Sequence, residues 1–189
     1  MATHLESESS TKREIDEQVR RLVGLPLRYW GRAADMATLG FGEIVNRESS
    51  SPRSRGKLVE VPEFALHIQC HWRIVRDGGI LVGYADWQWP PAGSAVAYLD
   101  FDAPDAPRNR RDDLVDAFVG HGAQAHIVEA AVGAMAGDLR LEFADECVLE
   151  VVPDYATQDD PHDEYWRLLL PDEGPVHRHF VVTAHGLET

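Results

Sequence analysis

At 189 residues the chain is long enough for one well-filled core and too short for two large domains. Its hydrophobic fraction of 44% is ordinary, but a formal net charge of -14 sets the average surface against phosphate backbones and anionic lipid. Nucleic acid and membrane are therefore poor partners, and a basic protein is a better one.

Residues 1–10 are polar without hydrophobic periodicity and read as a disordered tail, leaving 11–189 as one globular domain. The segment Met1–Lys12 has no apolar stretch behind a basic head, so no secretory leader is expected and the cytoplasm is the predicted compartment. Thr11-Lys12-Arg13-Glu14 fits a capping box, followed by Ile15, Val19, Leu22 and Val23 at helical spacing; Gly24 and Pro26 stop the helix.

From Leu25 the period changes. Leu25–Trp30 and Ala37–Phe41 read as strands, and 46–57 as a basic low-complexity loop. Phe64–Val75 reads as one strand, with Leu66, Ile68, Cys70, Trp72 and Ile74 alternating against His67, Gln69, His71 and Arg73. Asp77-Gly78-Gly79 turns the chain into a strand over Ile80–Trp89, ended by Pro90-Pro91. Asn109 caps a helix over 110–119, with Leu114, Val115 and Phe118 inward and Gly120 as stop. Strands are then predicted over 127–135, 138–143, 147–152, 165–170 and 177–183. Cys70 and Cys147 lie among apolar strand residues, where small buried thiols are expected.

The two halves echo each other. Leu39-Gly40-Phe41 matches Leu141-Glu142-Phe143, and Ala65–Ile68 matches Val148–Val151. Trp72-Arg73-Ile74-Val75 matches Trp166-Arg167-Leu168-Leu169, and Ile80-Leu81-Val82 matches Phe180-Val181-Val182. The expected fold is α+β and mainly antiparallel β, with an N-terminal helix. Repeat units 25–90 and 125–185, joined by the 109–120 helix, would form two packed meanders or a partly closed barrel.

Two sets of residues are candidates for binding. His67, Gln69, Arg73, Arg167, His177 and His179 put imidazole, amide and guanidinium groups on strand faces, where they could hold an anion. His67 and His71 are four strand residues apart, about 13 Å, too far to share one ion, and no metal motif supports them. No metal site and no cofactor is expected. Asp154, Asp159, Asp160, Asp163 and Glu164 form an acidic stretch suited to a basic protein partner. No serine or cysteine sits in a nucleophile elbow, and no glycine loop matches a nucleotide fingerprint.

The string Ala65-Leu66-His67-Ile68-Gln69-Cys70-His71-Trp72-Arg73 resembles a set of uncharacterised actinobacterial proteins. So do Leu149–Asp154 and the closing His179-Phe180-Val181-Val182. The similarity spans most of 22–186 and implies no activity, so it assigns no catalytic residue. By analogy of class, small β-rich proteins of this kind resemble immunity proteins. The leading expectation is a non-catalytic protein-binding module; the alternative is a small-molecule or metal-binding protein, or an enzyme, using the His/Arg faces.

Overall fold

A computed structural model describes residues 2–49, 55–95, 108–120, 126–155, 164–171 and 178–188. The first element, α1 (Ala2–Val19), is followed by a 3-10 turn at Arg20–Leu22. The helix thus begins nine residues before Thr11, where a disordered tail was expected. No glycine or proline lies between Ala2 and Val19, and adding turns to an existing helix is far easier than nucleating one.

The strands are β1 (Leu27–Ala33), β2 (Met36–Glu48), β3 (Leu58–Ile68), β4 (His71–Arg76) and β5 (Gly79–Gly83). The helix α2 (Arg110–Val119) comes next. After it run β6 (Val128–Gly133), β7 (Leu139–Phe143), β8 (Val148–Val152), β9 (Glu164–Leu170), β10 (Arg178–Thr183) and β11 (Gly186–Glu188). They form a sheet ordered β1-β2-β3-β9-β10-β11 and a second ordered β5-β4-β8-β7-β6. The architecture is α+β and predominantly antiparallel β.

The halves do not form one meander each, as expected from the sequence. Each lays three strands in one sheet and sends its next strands into the other, two from the first half and three from the second. The crossing in the first half falls inside the predicted Phe64–Val75 strand. There the amides of Gln69 and Cys70 both donate to Tyr165 O, at 2.8 and 3.2 Å, and the chain turns the corner. Alternation hid the break because Ile68, Cys70 and Trp72 stay buried on both sides of it.

Pairing follows the sequence echo residue by residue. β3 meets β9 as Leu66↔Leu168, His67↔Arg167 and Ile68↔Trp166. β8 meets β4 as Leu149↔Ile74, Glu150↔Arg73 and Val151↔Trp72. Register shifts recur at matching places, between Leu27 and Tyr29 and between Val128 and Ala130. The last echo is displaced by two residues, since Ile74 pairs with Val82 while Leu168 pairs with Phe180. Where the halves touch, Pro26 bridges Ile127, and Leu27 and Val128 donate reciprocally to His126 O and Leu25 O.

The predicted strand over Ile80–Trp89 stops at Gly83 and gives way to a 3-10 turn, Tyr84–Gln88. Asp86 Oδ2 accepts from the Gly83 amide at 2.9 Å and holds that turn, so Trp87 and Trp89 do not share a strand face. Asn109 caps α2 as predicted: its Oδ1 accepts from the Asp112 amide, and Asp112 Oδ2 accepts from the Asn109 amide.

The core is one cluster between the sheets, and the helices close its two sides. Ile15, Val19 and Leu22 pack toward β6, and Arg111, Val115 and Phe118 pack toward β1 and β5, with the same spacing along each helix. Buried His126 donates from Nε2 to Phe118 O at 2.9 Å and stands 3.1 Å from Asp145, tying the end of α2 to the β7–β8 turn. Among the described residues, no helix is long and apolar enough to cross a membrane.

Candidate functional site

The outer faces of the two sheets share a register and differ in chemistry. On the second sheet Glu150 receives Arg73 Nε on one carboxylate oxygen at 2.7 Å and Arg140 Nη1 on the other at 2.8 Å. Arg140 Nε also donates to Glu142 at 3.0 Å. On the first sheet Thr38, Gly40 and His67 stand where Arg140, Glu142 and Glu150 stand on the second. Arg167, the counterpart of Arg73, therefore faces an imidazole instead of a carboxylate.

Arg167 turns along its own strand to Glu164, to which Nε donates at 2.6 Å. Gln69 Nε2 donates to the same carboxylate at 3.0 Å, and Arg167 Nη1 lies 3.5 Å from His179 Nδ1. Burial, reinforced by the Arg167 and His179 charges and opposed by Glu164, pushes the His67 pKa below the ordinary imidazole value. His67 is thus biased toward its neutral form, able both to donate and to accept a hydrogen bond.

Beside this cluster lies a groove of about 290 Å³, lined by Tyr29, Thr38, Val61, Pro62, Ala65, His67 and Leu169 among others. Glycines lie against two of its lining residues. A Cβ on Gly40 would fall 2.6 Å from Pro62, so only glycine lets the proline close over β2. Tyr29 lies across Gly31 in the same way. The result is a mostly apolar trough with an imidazole at one end, a common composition for a recognition site.

The trough sits at the root of a two-stranded arm. β1 pairs with β2 as far as Phe41, and β9 pairs with β3 only over Ala65–Ile68. Beyond those points Ile44–Glu48 and Leu58–Pro62 pair with each other. Ile44 and Leu58 are exposed on this arm, Leu58 at 72%. Pro62, which has no amide to donate, falls at the register shift between Phe41 and Ile44. The second half closes the corresponding hairpin with the three-residue turn Ala144-Asp145-Glu146.

No protein-family model, curated protein or solved structure matches the chain. The site therefore rests on its own geometry. Of the residues predicted from sequence, His67, Gln69, Arg167, His179 and Glu164 come together on the first sheet. Arg73 does not join them; it lies on the second sheet and is held by Glu150. Asp154 pairs with His71 at 2.6 Å, so two described members of the acidic stretch are engaged internally. His177, Asp159, Asp160 and Asp163 lie outside the described residues.

Among the described residues, no three His, Cys, Asp or Glu side chains are grouped to hold a metal ion. Both cysteines are free and buried. Burial pushes the Cys70 thiol up to about 12 and the Cys147 thiol to about 11, with the Asp145 hydrogen bond adding to the latter. Such thiols stay protonated at neutral pH and are poor nucleophiles. The arm escaped sequence reading because its strands are polar and half-exposed; the predicted 46–57 loop took in Asn46–Glu48, which belong to β2. The length difference between the two hairpins was the available signal.

Proposed function

We propose that this protein is a non-catalytic protein-binding module whose recognition element is the β2–β3 arm and the groove at its root. The observation that carries this reading is the asymmetry of the two halves. They follow one pairing scheme, and only the first extends a hairpin into solvent while clearing an apolar trough below it. An arm with exposed Ile44 and Leu58 offers strand edges and apolar side chains to a partner chain. The net charge of -14 favours a basic partner over nucleic acid, in keeping with an immunity-like role.

The test replaces Gly42–Glu63 with Ala-Asp-Glu, the turn the second half uses at the same place. The shortened protein should fold with its core intact, because Ile44–Glu48 and Leu58–Pro62 pair only with each other among the described strands, beyond the reach of β1 and β9. Cross-linking in native lysate at low salt should then recover a partner with the full chain and lose it with the shortened one. Identical recovery from both would overturn the assignment.

A second reading is a small-molecule site in the groove, favoured by His67 at its end and by the neighbouring Gln69, Arg167 and His179. A thermal-shift ligand panel with metal analysis separates the two. A ligand that stabilises the parent and not His67→Ala would favour the small molecule.

A further inference from the structure

The two helices occupy corresponding places, yet one buries a cation where the other buries a hydrocarbon. Ile15, Val19 and Leu22 face the core from the first helix and turn, and Arg111, Val115 and Phe118 do so from α2. Arg111 is 2% exposed. Among the described residues its guanidinium donates only to main-chain carbonyls, Asp35 O at 2.9 Å and Ala34 O at 3.4 Å. Two carboxylates lie within electrostatic reach: Asp112 is taken by Arg32, whose Nε and Nη2 donate to its two oxygens at 2.7 and 3.1 Å, and Asp35 accepts from the Tyr84 hydroxyl at 3.0 Å. Most of the five N–H donors of Arg111 are thus uncommitted. Burial and the Arg32 charge push its pKa below the ordinary guanidinium value.

The two halves also differ in a related hydrogen bond. In the β6–β7 turn Gly137 O accepts from Trp166 Nε1 at 2.6 Å. The corresponding carbonyl in the β1–β2 turn is Asp35 O, and Arg111 takes it. Trp72, the counterpart of Trp166, is left with a buried Nε1 that has no hydrogen-bond partner. An isoleucine at 111 would avoid the buried charge, so packing alone does not account for the arginine.

A pocket explains it. Between α2 and β1 is a cavity of about 130 Å³ whose lining includes Trp30, Arg32, Arg108, Arg111, Asp112 and Asp116. That is room for several waters, or for one phosphate or carboxylate group. Both aspartates are engaged already, Asp112 by Arg32 and Asp116 by Arg108 at 2.6 Å. Arg111 supplies charge without a carboxylate of its own, and a planar guanidinium matches an oxyanion with two parallel bonds.

We propose that this pocket binds a small oxyanion, a phosphate or carboxylate group, with Arg111 as its buried anchor. The site is separate from the groove and does not depend on the protein-binding reading. The test titrates the full-length chain with inorganic phosphate in one arm and acetate in the other, against chloride at equal ionic strength. The readouts are the thermal midpoint and the Arg111 Nε–H resonance.

A saturable shift of the Arg111 signal at millimolar phosphate or acetate is expected, and the stronger arm identifies the group. Arg111→Ile, which installs the residue of the matching helix, should bind at least tenfold more weakly. Arg111→Lys, which keeps charge without the fork, should fall between. Absence of a saturable shift in the parent protein would overturn the proposal whatever the variants do, as would an undiminished thermal response in Arg111→Ile.

Discussion

On the second sheet Glu150 stands between Arg73 and Arg140, with one of its oxygens answering each. At the matching position on the first sheet, His67 faces Arg167, and Arg167 must reach along its own strand to Glu164. The first arrangement is closed: its charges are answered within the face. The second leaves an imidazole beside an apolar trough and an arm rising from it. One backbone register thus supports two surfaces, and the difference lies in a few outward positions whose exchange leaves the core untouched.

The deepest test of this correspondence concerns the paired tryptophans. Trp166→Phe should cost about 2–4 kcal/mol, because it leaves space and an unpaired Gly137 carbonyl. Trp72→Phe should cost about 1–2 kcal/mol, since its indole N–H has no acceptor to lose. Urea midpoints measure both, and equal losses would break the comparison. Next in size is Glu150→Ala, which sets Arg73 and Arg140 against each other. About 1 kcal/mol of destabilisation is expected, shrinking at high salt.

Converting one face into the other is a gentler probe. His67→Glu gives Arg167 the cross-strand carboxylate that Arg73 enjoys and should add about 0.5 kcal/mol. It should also weaken partner capture, and unchanged capture would remove His67 from the recognition surface. The smallest effect is a pH dependence. The His67 pKa is lowered in the folded chain, so on acidification the unfolded chain takes up its proton first. Stability should fall as pH drops through the ordinary imidazole value of about 6.5, levelling off below the folded pKa. His67→Gln should remove that part of the slope in denaturant titrations between pH 7.5 and 5.

Hydrophobic alternation made the strands legible, and the Trp-Arg echo set β3 against β8 and β4 against β9 as counterparts, while which strands pair became visible only in the sheets. Two things were hidden for physical reasons. The corner at Gln69-Cys70 preserves which side chains point inward, so periodicity passes through it unmarked. The inward placing of Arg111 had no counterpart in the sequence reading, which took only Leu114, Val115 and Phe118 of that helix as facing the core. Setting Arg111-Val115-Phe118 beside Ile15-Val19-Leu22 would have shown it facing the core. Of the candidate site, the cluster of His67, Gln69, Arg167 and His179 was named from side-chain chemistry, while the groove depends on Tyr29, Pro62, Ala65 and Leu169 meeting in space. Their sequence separations carried no sign of that.

The exchange of strands between sheets has a consequence for synthesis on the ribosome. When β4 and β5 emerge, the strand that flanks β4 on its other side, β8, has not yet been made. β3 likewise waits for β9. Neither sheet can be completed from one half, so decisive contacts join residues distant along the chain, which slows folding. Until the second half arrives, the β3 edge and the apolar face behind it stay open to solvent and to other nascent chains. Chaperone dependence should therefore concentrate in that interval.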